Sequence, residues 1–357
     1  MSKSTTSPAP TPRRHTFIIA EAGVNHNGDL SLAEQLVDAA ANAGADAVKF
    51  QTFKAAKLVT RAAKKAEYQV ANTKSEGTQF EMLKALELSD EHHHHLLQYT
   101  NERGIMFLSS PFDIDSMRLL KSLNVKIGKI PSGELTNLRF LQAMTRHFDE
   151  LILSTGMGSL SEVLDAVRVL TDAGANRDKI TILHCNTEYP TPMEDVNLSA
   201  MQTLREATGC RVGYSDHSLG IEVPIAATAL GAVTIEKHIT LDRDLPGPDH
   251  RCSLEPDELI QMVRGIRNIE SAIGSGEKEP SPSETKNIEI ARRSLHAATS
   301  LAKGHVLREE DLIARRPAIG LSPMLIEAVL GRPLQRQIDE HHPLTSEHVE
   351  LNSGETV

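Results

Sequence analysis

The sequence predicts a (β/α)8 TIM barrel followed by a small C-terminal domain. Within the first 250 residues, eight short apolar runs each end on a polar or ionisable residue, and each leads into a helical pattern. The runs are almost continuously apolar, as strands of a parallel sheet covered on both faces are. A texture rich in Gly, Ser, Pro and Glu begins near residue 274 and separates this repeat from a last stretch of short runs and turns.

Taken in order, the runs end at Glu21 (FIIAE), Lys49 (AVKFQ), Ser109 and Ser110 (IMFLSS), Lys129 (KIGKIPSGE), Ser154 and Thr155 (LILSTGMG), His184 to Asn186 (ITILHCN), Ser215 to His217 (RVGYSDH) and His238 (VTIEKH). A barrel of this class builds its active site from the carboxyl ends of its strands. The strand ends are therefore also the candidate site residues. After the first strand, residues 31–43 place Leu32, Leu36, Val37 and Ala40 on one helical face, and Gly44 stops the helix. Between the second strand and residue 89 runs a long insertion. A connection of that length over a barrel mouth is expected to be functional. Ser89 or Asp90 caps the next helix, Ser159 and Glu162 form a capping box, and Pro256 opens an eighth helix that ends near Ile273. The predicted organisation is a disordered tail over 1–15, the barrel over 16–273, a linker over 274–290 and a small domain over 291–350 with a short helix at Glu309–Ile313.

A formal net charge of −10 argues against a nucleic-acid or anionic-membrane partner. No apolar run approaches the roughly 20 residues of a membrane helix. The Pro-rich start lacks the apolar core of a signal peptide, so a cytoplasmic protein is expected. Cys185, Cys210 and Cys252 show no metal or disulfide spacing and read as reduced, buried thiols.

His217 and His238 close adjacent predicted strands and should converge. Neutral imidazoles suit a divalent transition metal, and the lack of a third clear ligand favours open positions for water and substrate. Asp216 and Asp249 are candidates to orient an imidazole or a bound water. Glu236 is expected on the opposite face of its strand unless a bulge re-aims it. Lys49 and Lys129 are costly at buried strand ends unless paired or ligand-bound. With Ser110, Ser132 and Ser154 they suggest a cradle for phosphate or carboxylate, helped by helix amino termini. The competing chemistry is a Schiff-base lysine. Glu21 stands as a general base or a substrate-orienting carboxylate. The run His92 to His95 reads as a solvated helix start, because successive helical side chains point about 100° apart and cannot share one ion. Arg315 and Arg316 read as surface charge.

The motifs IIAEAGVNHNGD (18–29), VKFQTF (48–53), LSSPFD (108–113), KIPSGE (129–134), LHCNTEYPTP (183–192), YSDHSLG (214–220), EKHITLD (236–242) and GPDH (247–250) resemble the sialic acid synthase family. ARRPAIGLSP (314–323) is similar to that family's antifreeze-like SAF domain. The resemblance implies condensation of phosphoenolpyruvate with N-acetylmannosamine and water, giving N-acetylneuraminate and phosphate. The alternative is 2,4-diacetamido-2,4,6-trideoxymannose, giving N,N'-diacetyllegionaminate. By matching position, His217 and His238 would hold Mn2+, with Mg2+ or Co2+ as alternatives. Lys49, Ser110, Lys129, Ser132, Ser154 and Asn186 would surround phosphoenolpyruvate. Glu21, Gln51, Tyr189 and Asp249 would contact the sugar or a bound water, and Phe112 and Ser215 would complete the pocket. Arg316 would reach the sugar's N-acyl group from the other subunit of a domain-swapped homodimer. The chain departs from the common family pattern at Ser110, where Thr is usual, and at Ala318, where Gly is.

Overall fold

All eight apolar runs are strands in the computed structural model, which describes residues 15–73 and 76–352. They are β1 (Phe17–Gly23), β2 (Ala47–Thr52), β3 (Met106–Pro111), β4 (Ile127–Ile130), β5 (Glu150–Ser154), β6 (Ile180–Cys185), β7 (Arg211–Asp216) and β8 (Thr234–His238). They pair in parallel in the order β3-β2-β1-β8-β7-β6-β5-β4, and β3 lies against β4, so the sheet curls shut. The tail expected over 1–15 lies outside the described residues except for His15. The chain divides into two compact units, Met1–Ser275 and Gly276–Val357.

Register brings the polar strand ends to one level. Glu21 stands opposite both Lys49 and His238, Gln51 opposite Ser110, and Ser215 opposite Glu236. Side chains alternate between barrel interior and exterior with a period of two. Each strand end therefore sends only every second residue inward.

A helix follows every strand, and local chemistry sets its ends. Asp29 accepts from the Ser31 and Leu32 amides to start Leu30–Ala43, and Gly44, at φ 76°, ends it in the left-handed region. The face it buries is Ala33, Leu36, Val37, Ala40 and Ala43; Leu32 is only half-buried, so Ala33 takes the place expected of it. Ser89 caps Asp90–Arg103, Ser159 and Glu162 form the capping box of Leu160–Asp172, and Pro256 opens Pro256–Ala272. No described helix is long and apolar enough to cross a membrane.

The insertion after β2 carries three short helices, Ala55–Leu58, Glu67–Thr73 and Gln79–Ala85. It is tied down by the Ala55 amide donating to Glu87 at 2.7 Å and by Asn72 Nδ2 donating to the Pro248 carbonyl at 2.6 Å. Its apolar side chains Leu58, Met82 and Leu83 gather on buried Val24, Phe53 and Leu86.

In the second unit, the stretch read as a linker contains the helix Pro282–Ala291, started by a Ser281 and Glu284 capping box. An antiparallel pair, β9 (Ser294–Ala297) and β10 (Leu312–Arg315), lies over a separate core that includes Leu295, Leu307, Val329 and Leu344. The helix expected at Glu309–Ile313 is a single turn, Glu309–Asp311. Leu312 and Ile313 are drawn instead into pairing with Ala297 and His296. The three cysteines are free and buried.

Candidate active site

A cavity of about 530 Å3 opens at the carboxyl ends of the barrel strands. Its floor holds four charges. Lys49 Nζ lies 2.6 Å from Glu21 Oε2 and 3.6 Å from Glu236, and Lys129 Nζ donates to both Glu236 oxygens at 2.8 and 2.9 Å. Lys49 also donates to Ser110 Oγ at 3.2 Å, and Ser215 Oγ donates to Glu236 at 3.0 Å. Gln51 Nε2 reaches Glu21 at 3.5 Å. Two ammonium groups and two carboxylates, all buried, thus compensate one another, which is the condition for keeping charge in a low-dielectric interior.

Burial and neighbours push these groups apart in acidity. Burial raises Glu21 to about 6 against the pull of Lys49, and Glu236 adds to the rise. Burial also raises Glu236, but Lys129 and Lys49 outweigh it and hold the carboxyl well below the usual range. Burial lowers Lys129 overall despite Glu236. For Lys49, Glu21 and Glu236 outweigh burial and raise it. Asp249 is pushed up to about 7 by burial and then by Glu21. Two carboxyls with neighbouring but separated affinities for protons can divide acid and base roles.

Against this floor stand two imidazoles, His217 and His238, with ring centroids 5.3 Å apart and planes at 62°. His217 Nδ1 donates to the Asn186 carbonyl at 2.5 Å, which leaves Nε2 with a free lone pair. His238 Nδ1 is buried without a hydrogen-bond partner. Burial lowers His217 to about 4 and His238 well below its ordinary value. Both rings are therefore neutral at physiological pH, the form a metal requires. A buried ring nitrogen without a partner, on an imidazole whose centroid lies 5.3 Å from a second neutral imidazole, fits a divalent cation. Among the described residues no three His, Cys, Asp or Glu side chains are grouped to hold one, so water and substrate would supply the remaining positions. Tyr189 packs over both rings, 4.2 Å from His217 and 5.8 Å from His238.

Of the residues singled out in the sequence, Glu21, Lys49, Gln51, Ser110, Phe112, Lys129, Ser132, Ser154, Tyr189, Ser215, His217, His238 and Asp249 all line this cavity. Asn186 enters differently. Its side-chain oxygen accepts from the Glu188 amide at 2.7 Å and its carbonyl positions His217, while neighbouring Thr187 lines the cavity. Arg316 belongs to the second unit.

Three expectations are corrected. Glu236 faces inward, because residues two apart on a strand share a face and His238 faces inward. No bulge is needed, and the period alone was signal enough to find it. The outward residue is Lys237, which pairs with Asp216 at 2.5 Å; both are wholly buried behind the sheet. Asp216 is thereby engaged by Lys237 and Ser218 and does not hold a site imidazole. His93 is not solvated: it is buried, bonded to Thr52 Oγ1 and the Ser89 carbonyl, while His94 and His95 are exposed. Residues that only the fold brings in include Tyr68 and Gln69 from the insertion, since nothing in their local pattern marks them.

The chain matches the model of the NeuB family over residues 36–278 and that of the SAF domain over residues 292–350. It is 50% identical to the N,N'-diacetyllegionaminic acid synthase of Campylobacter jejuni, over 89% of this chain and 96% of that protein. It is 49% identical to the synthase of the same description from Legionella pneumophila, over 94% of each. Among solved structures, an N-acetylneuraminic acid (sialic acid) synthetase from Leptospira borgpetersenii, in complex with citrate, superposes with a TM-score of 0.68 at 36% identity, over 81% of this chain and 95% of that one. Matches of this extent, on a barrel with charged strand ends, establish that the chain belongs to the NeuB family and ends in a SAF domain.

Proposed function

We propose that this chain condenses phosphoenolpyruvate with 2,4-diacetamido-2,4,6-trideoxymannose and water, releasing phosphate and N,N'-diacetyllegionaminic acid. The observation that carries this choice of sugar is the near-half identity to two synthases of that product along almost their whole lengths. N-acetylmannosamine, the first expectation, is the second reading; the sialic acid synthetase is similar at 36%.

Lys49 and Lys129, with the hydroxyls of Ser110, Ser132 and Ser154, bind the anionic substrate. A divalent cation, Mn2+ by resemblance with Mg2+ or Co2+ as alternatives, would be held by His217 and His238 and supplies Lewis-acid polarisation of the sugar aldehyde. The alkene carbon of phosphoenolpyruvate bonds to the aldehyde carbon, and Asp249, raised to about 7, donates the proton that the new hydroxyl needs. Water adds to the carbon bearing phosphate and gives its proton to Glu21. The carbon–oxygen bond to phosphate then breaks, the new hydroxyl on that carbon passes its proton to the departing phosphate, and its oxygen becomes the carbonyl of the 2-keto acid. Holding the two reactants side by side contributes about 7–11 kcal/mol towards the barrier. A Schiff-base aldolase is the weaker chemistry, because the Lys129 ammonium is held by both oxygens of Glu236.

The test is phosphate release from phosphoenolpyruvate with each sugar, with and without Mn2+. Release should be fastest with the diacetamido sugar and disappear on chelation and in His217→Ala. Turnover that survives both treatments rules out the metal role. The assignment of Arg316 to the N-acyl group, in trans within a homodimer, is part of the same proposal and rests on the resemblance. Mixed Lys129→Ala and Arg316→Ala subunits should regain activity that neither variant has alone. Mixed dimers that stay inactive would refute a shared site.

A further inference from the structure

The cavity has two unlike sides. Its floor is the charged ring of strand ends. The opposite wall comes from the β1 loop and the insertion after β2, and Val24, Leu58, Val59, Met82, Leu83 and Leu86 face the cavity from it. None of these side chains can donate a hydrogen bond, and only the Met82 thioether can accept one, weakly. Phe112, packed edge-on against Phe53 with ring centroids 6.0 Å apart, backs the wall. The wall is anchored at both ends, by Asn72 on the Pro248 carbonyl and by Glu87 on the Ala55 amide. Two amides stand beside it, Gln69 and Gln79. They meet each other at 3.4 Å, and Gln69 Nε2 meets the Tyr68 hydroxyl at 3.4 Å, both at the weak end of the hydrogen-bond range, while Gln69 Oε1 accepts from the Ala66 amide at 2.9 Å, which leaves Nε2 as the loosely held donor.

The geometry points to a division of labour for the sugar. The aldehyde end belongs at the two imidazoles and the charged floor. The far end then meets the apolar wall, where a hydroxyl would give up its water and find no partner, while a methyl group loses nothing. We assign Leu58, Met82 and Leu86 as the residues that select a sugar deoxygenated at its terminal carbon, with Gln69 and Gln79 meeting the acetamido group two carbons before it. This deepens the functional reading above and rests on it. An apolar pocket of this kind disfavours a substrate with one added hydroxyl by about 10–100-fold.

The experiment compares kcat/KM, by phosphate release at saturating phosphoenolpyruvate, for 2,4-diacetamido-2,4,6-trideoxymannose and its counterpart bearing a hydroxyl on the terminal carbon. The protein should favour the deoxy sugar by at least about tenfold. Met82→Gln, and independently Leu58→Gln, should shrink that ratio severalfold by improving the hydroxylated sugar, with KM for phosphoenolpyruvate unmoved. Met82→Leu should keep the preference. If the unsubstituted protein turns both sugars over equally, or both glutamine variants lower the two sugars in step, the selection by this wall is overturned while the reaction stands. If no phosphate is released with either sugar but N-acetylmannosamine supports turnover, the sugar assignment falls and the wall's role with it. If none of the three supports turnover, the reaction itself is wrong.

Discussion

The Asp216–Lys237 pair and the carboxyl of Asp249 show how single buried charges set both stability and chemistry. Lys237 and Asp216 have no exposed surface, so removing one partner strands the other. Lys237→Met should lower unfolding free energy by about 3–5 kcal/mol, read by urea unfolding, and replacing Asp216 with an apolar residue as well should recover much of the loss. A double variant no more stable than the single would refute the pairing argument. Asp249 works in the other direction. Its folded value of about 7 exceeds the ordinary 3.8, so the folded state binds the proton more tightly. Its contribution is complete below pH 3.8 and is lost as pH rises through 7. One unit corresponds to about 1.4 kcal/mol, so the penalty above pH 7 is on the order of 4 kcal/mol. Asp249→Asn should therefore raise the urea midpoint at pH 8 and leave it nearly unchanged at low pH, while impairing turnover. An equal shift at both pH values would count against the stored penalty.

At the scale of elements, the insertion after β2 matters most, because it turns an open strand-end ring into a two-sided cavity. Its position depends on a close backbone approach. Gly28, at φ +78°, leaves no room for a Cβ, which would lie 2.5 Å from the Ala85 carbonyl at the end of the third insertion helix. Gly28→Ala should push that helix away. Proteolysis within the insertion should quicken and sugar KM should rise more than phosphoenolpyruvate KM, because the proposed arrangement puts the anion on the strand ends and the sugar against the wall. Unchanged proteolysis and KM would show that the contact relaxes without consequence. The same element explains where the sequence was hard to read. Helix caps at Ser89, Ser159 and Pro256 are local chemistry and were legible. Which insertion residues look into the cavity depends on docking against Val24 and Phe112, far away in sequence.

For the whole molecule, buried neutral histidines predict sensitivity to acid. His26, His217 and His250 are each lowered by burial to about 4. The unfolded chain binds their protons first, so the stability they contribute is full above about 6.5 and is lost as pH falls towards 4. Urea unfolding should weaken steeply across that window, and His26→Gln should flatten part of the slope. A flat profile between pH 6.5 and 4 would refute it. Asp249 and Glu21 tilt the other limb, because both are raised carboxyls whose contribution fades as pH climbs through 6 to 7.

The sequence by itself determined the barrel and its eight polar strand ends, because apolar runs, caps and the placement of polar residues are local and periodic signals, while Gln51, Phe112 and Tyr189, which line the same cavity, were named only by the resemblance. Tertiary structure alone decided the partnerships. Lys49 and Lys129 could be read as needing a partner, but that Glu21 and Glu236 are the carboxylates beside them came only with the fold. Asp216 looked like a site residue, yet Lys237 claims it behind the sheet. His93 looked solvated, yet Thr52 buries it. Charges placed in a low-dielectric interior take their meaning from the nearest opposite charge, and that neighbour comes from another strand whose register no local pattern states.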